Sequence, residues 1–331
     1  MMEQLIKNFP AQIKDALLFG EDTIINPHHS PINKIILSGM GGSAIAGTYI
    51  SDLIEGECTS PCFINRSYHL PAFADKNTLI IISSYSGNTE ETVTVFHQAL
   101  LTDAKIVCIT SGGKILDIAI KNGVDIISMP EGCESPRAFL GYSIVYQIFV
   151  LRNLSLISGD IINQLRPTVD LLTFEQEDIM AKAEKIAVLL LQKTPVIYTS
   201  DRMEAVALRW RQQLNENSKI LCWHNVLPEM NHNELVGWKN RQESFAVVIL
   251  RYKDDHKRIQ TRIELTKQVI GQLAATVIEI YAKGQSQAEK MLYMTHLGDW
   301  VSWHLSQLNH LDSTEIRVID FLKAELEKSE M

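Results

Sequence analysis

Five short runs of aliphatic and β-branched residues recur through the first half of the chain, at 34–37, 62–65, 78–82, 105–110 and 125–128. Helix-length stretches lie between and after them, from Ser43, from Asn88, near 116–122 and, as an apolar segment, from Ala138. Strands that alternate with helices predict a parallel sheet with helices on both faces. Ile161, Leu165, Val169, Leu172, Ile179, Ile186 and Leu190 are then spaced as on helices, which reads as a helical linkage over 159–192. After it the order repeats. The run 195–200 leads into a helix over 203–214 as 34–38 leads into its own, 245–251 takes the place of 78–83, and 275–280 that of 105–110. With 331 residues, 46% of them hydrophobic, the chain is long enough for two such units. The expectation is α/β: two tandem doubly wound domains, 1–152 and 153–331, each a parallel sheet flanked by helices, with a cleft at the carboxyl ends of the strands.

The 78–82 run breaks into Ser83-Ser84-Tyr85-Ser86-Gly87-Asn88-Thr89-Glu90-Glu91-Thr92. A buried strand that ends in closely spaced hydroxyls and a glycine, then opens a helix, presents oxygens and free backbone N–H groups to one point. Ser84, Ser86 and Thr89 supply three short donors without a fixed positive charge, as suits a phosphate ester that must bind and leave. The competing reading makes Ser86 a plain helix N-cap. Glu90 and Glu91 favour the helix dipole and would repel an anion unless they point away from it. Ser38-Gly39-Met40-Gly41-Gly42-Ser43 turns from the first strand in the same manner, with glycines for close backbone approach and Ser43 at the helix start. Gly39-x-Gly41-x-x-Ala44 also fits a dinucleotide fingerprint, but the next strand ends in Asn65 and Arg66 where an acid should stand, and Arg66 leaves only an NADP-type version open. In the second half Arg251-Tyr252-Lys253-Asp254-Asp255 replaces the hydroxyl loop, so only the first copy keeps a phosphate site.

A formal net charge of −8, with basic residues scattered, argues against a nucleic-acid surface. No run of eighteen apolar residues exists, and Met1-Met2-Glu3-Gln4-Leu5 lacks the order of a signal peptide, so a cytoplasmic protein with no membrane partner is expected. Cys58, Cys62, Cys108, Cys133 and Cys222 are an odd number and read as reduced small hydrophobes. Cys58 and Cys62 lack a second pair at ligand spacing, and neither a metal nor a cofactor is expected.

The Ser/Thr loop resembles the phosphate loop of sugar isomerase (SIS) domains. Glu134-Ser135-Pro136-Arg137-Ala138, Gln213-Leu214-Asn215-Glu216-Asn217-Ser218-Lys219 and Pro228-Glu229-Met230-Asn231-His232-Asn233-Glu234 follow in that family's order. The whole chain is thereby similar to the two-domain bifunctional phosphoglucose/phosphomannose isomerases. The resemblance implies a metal-free aldose–ketose isomerase of glucose 6-phosphate, mannose 6-phosphate and fructose 6-phosphate, working through an enediolate. Such chemistry needs one carboxylate within reach of two adjacent carbons. By resemblance that base is Glu216, which on its residues alone reads as an exposed acid at a helix end. The resemblance further implies phosphate binding at Ser43, Ser84, Ser86 and Thr89, with Gly42 lending backbone. Arg137 would steady the enediolate oxygen, where the plain alternative is a salt bridge between elements. His232 would shuttle the ring-opening proton from the partner subunit of a homodimer. Lys323, in Ile319-Asp320-Phe321-Leu322-Lys323, matches a ring-opening lysine of the closing helix, although Asp312-Ser313-Thr314 departs from the family's Asp-Pro-Thr. Trp300 and Trp303 read as core on the preceding helix, with His304 and His310. Two other readings stand beside this one: a sugar-phosphate sensor, which would leave Glu216 and His232 idle, and an amino-sugar isomerase of the same fold.

Overall fold

The computed structural model describes residues 1–328; the last three residues of the expected second domain, 329–331, lie outside them. Two parallel sheets organise the chain. The first contains β1 (Lys34–Ser38), β2 (Cys62–Asn65), β3 (Thr78–Ser83), β4 (Lys105–Thr110) and β5 (Asp125–Ser128) in the order β2-β1-β3-β4-β5. β3 and β4 are buried at every position, as central strands covered on both faces must be. Around this sheet run α2 (Phe9–Glu21), α3 (Gly41–Ile54), α4 (Glu90–Ala99), α5 (Gly113–Asn122) and α6 (Leu140–Asn153). The second sheet orders β6 (Thr194–Ser200), β7 (Trp223–Leu227), β8 (Gln242–Arg251) and β9 (Ala274–Tyr281) as β7-β6-β8-β9, with α9 (Glu204–Glu216) and α10 (Lys257–Ile270). β6 to β9 therefore stand where β1 to β4 stand, which is the repeat that the order of elements predicts. Among the described residues the second sheet has no counterpart of β5.

Three departures from the sequence reading bear on function. β7 was not expected, because Trp223, His224 and Asn225 show no apolar alternation and only Val226 and Leu227 look strand-like. The apolar helix expected from Ala138 begins as a 3-10 turn, Pro136–Phe139, before α6 takes over. α9 extends past residue 214, so Glu216 is the last residue of a helix rather than part of the loop after it. The linkage resolves into α7 (Asp160–Phe174), which tolerates Pro167, and α8 (Gln176–Leu190).

α11 (Gln287–Leu308) is apolar nearly all round and is accordingly buried, against α7, α8, α9 and the short α1 (Met2–Lys7). Ser286 and Glu289 close a capping box at its start. Trp300 is core as expected, while His310 falls beyond the end of the helix. α12 (Arg317–Lys328) is the opposite case: it buries no residue and leaves Val318 82%, Phe321 66% and Leu322 57% exposed. No helix among the described residues is long and apolar enough to cross a membrane.

His296, at the middle of α11, is fully buried and stacks on Phe9 with ring centroids 5.6 Å apart. Its Nε2 accepts from Trp300 Nε1 at 3.3 Å, and its Nδ1 has no partner. Burial pushes its pKa down to about 3. The folded state therefore holds this ring neutral while the unfolded chain protonates it near 6.5, so stability is complete above that value and drains as pH falls toward 3. The expected loss is about 2 kcal/mol at pH 5. Urea titrations at pH 7 and pH 5 check it: in His296→Leu the difference between the two pH values should shrink by that amount.

Candidate active site

β1 and β3 are hydrogen-bonded neighbours, so the loops after them leave the same end of the sheet. They touch at Gly39, where a Cβ would meet the Ser83 carbonyl oxygen at 2.7 Å. Ser84 is buried, with its Oγ 2.9 Å from Thr89 Oγ1. Thr89, not Ser86, is the N-cap of α4, and no side chain caps that helix. Ser86 is exposed and only accepts from the Asn88 N–H at 3.3 Å. α3 opens at Met40 with no side-chain cap either, and Ser43 lies in its first turn. Gly87, at φ +64°, could carry no side chain, since its Cβ would fall 1.7 Å from the Gly112 carbonyl oxygen. Two helix starts without side-chain caps, flanked by the hydroxyls of Ser43, Ser84, Ser86 and Thr89, concentrate donors suited to an anion.

Arg137 joins the start of α3 to the second half of the chain. An added Cβ at Gly42 would come 3.2 Å from Arg137 Cα, so the helix start is pressed against the arginine backbone. The buried side chain then reaches across: Nε donates to Asn217 Oδ1 at 3.1 Å, and Nη2 to the Ser313 carbonyl at 2.6 Å. Glu216 Oε2 stands 3.6 Å from the same Nε. Among the described residues no acceptor takes Nη1. Burial draws the guanidinium below its ordinary pKa, and the Glu216 carboxylate opposes that shift. The side chain of Glu216 is 30% exposed against 6% for Arg137, so the carboxylate faces the open side of the pair. Lys219, in the left-handed region at φ +56°, donates from Nζ to the carbonyls of Glu216 at 2.5 Å and Glu315 at 2.6 Å. It ties the end of α9 to the segment before α12. Behind the pair, buried Arg209 grips Asp299 through two 2.9 Å bonds and donates from Nη1 to the Arg137 carbonyl at 2.9 Å. A solvent-accessible carboxylate beside a fixed guanidinium can take a proton from carbon while charge develops on the neighbouring oxygen.

Arg209, Gln213 and Glu216 stand at i, i+4 and i+7 on α9, and Asn217, the residue at its C-cap, continues the same stripe at i+8. An amphipathic helix carries apolar residues there, so polar residues at all four positions are the sequence signal that exposes Arg209 and Asn217 as working parts of this cluster. Ser313 contributes a main-chain carbonyl, which no residue pattern encodes.

Other expected site residues are not drawn in by this chain. His232, itself exposed, ends the 3-10 turn Glu229–His232, whose Met230 is buried, and among the described residues no hydrogen bond or ion pair joins it to Glu216. Its neighbours serve the second sheet: Asn231 donates to Thr266 Oγ1 at 2.9 Å, and Glu234 accepts from Tyr198, Trp223 and Asn225 at 2.5, 2.8 and 2.7 Å. Lys323 is exposed on α12, while the Glu216 carboxylate pairs with Arg137. Thr314 bonds Asp312 through both its N–H and its hydroxyl, next to the Ser313 carbonyl that holds Arg137. Arg66 folds back on Thr48, with Nη2 donating to its hydroxyl at 2.5 Å. The five cysteines are free, and no three His, Cys, Asp or Glu side chains among the described residues group as metal ligands do.

A bifunctional phosphoglucose/phosphomannose isomerase of Caldicellulosiruptor bescii is 38% identical over 98% of this chain and 98% of its own. The chain belongs to the bifunctional phosphoglucose/phosphomannose isomerase family. A relative of the same description from Aquifex aeolicus is 34% identical over 90% of this chain and 92% of its own. The bacterial phospho-glucose isomerase C-terminal SIS domain model matches residues 179–326. Among solved structures, the C-terminal domain of glucosamine-fructose-6-phosphate aminotransferase from Francisella tularensis superposes with a TM-score of 0.77 at 15% identity, covering 95% of this chain and 98% of that one. At that identity the likeness speaks for the paired SIS fold alone.

Proposed function

We propose that this chain is an aldose–ketose isomerase that interconverts glucose 6-phosphate and mannose 6-phosphate with fructose 6-phosphate. The observation that carries the reading is the 3.6 Å approach of Glu216 to Arg137, whose backbone is pressed on the Gly42 helix start. Phosphate binds at Ser43, Ser84, Ser86 and Thr89, with Gly42 lending its N–H. Glu216 removes the proton from C2 of an aldose and returns it to C1 of the ketose, and Arg137 steadies the enediolate oxygen between the two steps. One base on one face serves both epimers if the enediolate turns beneath it. Residues 1–152 form the domain that holds phosphate, and 153–331 the domain that carries the base. Coupled assays with the three hexose 6-phosphates in EDTA, with glucosamine 6-phosphate as a fourth arm, test the reading. Turnover of the three hexose 6-phosphates that lack the amino group is expected; turnover of the amino sugar alone would overturn it.

Two parts of the reading extend past one chain. The protein acts in the cytoplasm in hexose phosphate metabolism, and as a homodimer. His232 and Lys323 open the sugar ring, His232 from the partner subunit; its exposure, with no hydrogen bond or ion pair to Glu216 among the described residues, supports that assignment. The uncovered apolar face of α12 supports a dimer as well. Mixing Glu216→Gln with His232→Ala under subunit exchange should restore about a quarter of the wild-type sites, because a mixed two-fold dimer holds one intact site. No recovery despite verified exchange would place both residues in one subunit's site.

Ser86→Ala separates anion binding from capping. Its hydroxyl makes one long local bond, so stability should hold while sugar-phosphate binding weakens by about 1–3 kcal/mol, read as a raised KM. A lowered melting temperature with an unchanged KM would reduce Ser86 to a turn residue.

A further inference from the structure

We propose that Asn217 is a positioning residue that holds the Arg137 Nε–H away from Glu216, leaving the carboxylate next to a positive charge but free of its hydrogen bond. The proposal rests on the isomerase reading of the site. Nε of an arginine carries a single hydrogen. Two acceptors compete for it here: Asn217 Oδ1 at 3.1 Å with hydrogen-bond geometry, and Glu216 Oε2 at 3.6 Å without it. The sense of the Asn217 amide is fixed from both ends. Arg137 can only donate, so it faces the amide oxygen, and Asn217 Nδ2 donates to Ser302 Oγ at 2.9 Å, whose own hydrogen goes to the Asp299 carbonyl at 2.7 Å. Asn217 is fully buried, and Ser302 belongs to α11, so the amide cannot turn without breaking a core contact.

This matters because the two possible partners would leave different bases. A carboxylate that accepts a direct guanidinium bond is held in its charged form and gives up basicity, while one at ion-pair range keeps its lone pairs for a carbon-bound proton. The charged groups around Glu216 are Arg137 from the first sheet's side, Arg209 one face along α9, and Lys219 beyond its end. Arg209 is already committed to Asp299, and Lys219 to two carbonyls. Among the described residues, Arg137 is the cation within ion-pair range of the Glu216 carboxylate, and its Nε–H is the hydrogen the two acceptors contest.

The test is the pH dependence of kcat/KM for fructose 6-phosphate in Asn217→Leu and Asn217→Asp. Leucine removes the competing acceptor, so Nε–H moves to Glu216: kcat should fall about tenfold or more with KM little changed, and the acid limb should move about one unit or more to lower pH. Aspartate keeps the acceptor at the same place and adds a negative charge beside Glu216, so its acid limb should move to higher pH. Opposite displacements in the two variants support the proposal. A limb that stays in place in a folded Asn217→Asp, whether or not the rate falls, overturns it, and this variant keeps the size of the native side chain if leucine proves too disruptive. Failure of the isomerase reading would show separately, as absence of turnover in the unmutated protein or its persistence in Glu216→Gln.

Discussion

Glu216→Gln should abolish nearly all turnover while leaving sugar phosphate bound. The amide keeps the shape of the side chain at the end of α9 and its place beside Arg137, but it cannot accept a proton from carbon. Loss of a general base typically costs between about 10² and 10⁴ in rate. The measurement is twofold. Coupled assays should show kcat falling by that factor, and a binding titration with fructose 6-phosphate should stay within a few-fold of the wild type. Solvent deuterium adds an independent check, since a base that shuttles one proton through an enediolate exposes it to exchange: wild type should wash label into C2 of the product aldoses, and the variant should not. Near-normal turnover would remove Glu216 from the chemistry.

Asp299→Ala should be the most damaging change outside the reacting groups. It strands Arg209, which is 1% exposed and held by Asp299 through two of its three 2.9 Å bonds. Breaking a buried ion pair from one side typically costs about 3–5 kcal/mol, because the surviving charge loses its counter-charge inside the protein. Urea unfolding measures that cost. The pair also has a second connection: Arg209 holds the carbonyl of Arg137. Replacing both partners, as Arg209→Met with Asp299→Leu, should return most of the stability, since an apolar pair of similar volume is often neutral. It should not return kcat, because Arg137 then lacks its backbone anchor. If the double variant recovers stability and rate together, the ion pair supports the fold alone.

The alternation of strands and helices was legible because buried parallel strands read as largely apolar runs: β3 and β4 are buried throughout, and β1 and β6 at every position but the first. β7 was not, since an edge strand with Trp223, His224 and Asn225 at its start carries no such run. The Ser84–Thr89 loop could be located from its hydroxyls and glycine, but not its wiring: Thr89, rather than Ser86, begins the helix, and it turns its hydroxyl to Ser84 instead of capping. Arg137 and Glu216 lie 79 positions apart, and nothing in spacing announces that they meet; the resemblance to a family carried both to the same site, and the structure brings them to 3.6 Å. His232 and Lys323 are both exposed, and among the described residues no hydrogen bond or ion pair ties either to that contact.

α3 is fastened to the second half of the molecule along its whole length. Near its start, Gly42 abuts Arg137, which is bonded to Asn217; just past its middle, Tyr49 shares a 2.5 Å hydrogen bond with Thr295 of α11; near its end, Asp52 accepts from the backbone N–H of Ala205 at the start of α9. Opening the two sheets like jaws would break all three at once, within a packed interior. The separation between the start of α3 and Glu216 is therefore built as a gauge block rather than a caliper. On the isomerase reading, a sugar phosphate one carbon shorter than a hexose meets a gap that does not narrow to fit it, and chain length is discriminated without any residue dedicated to measuring it.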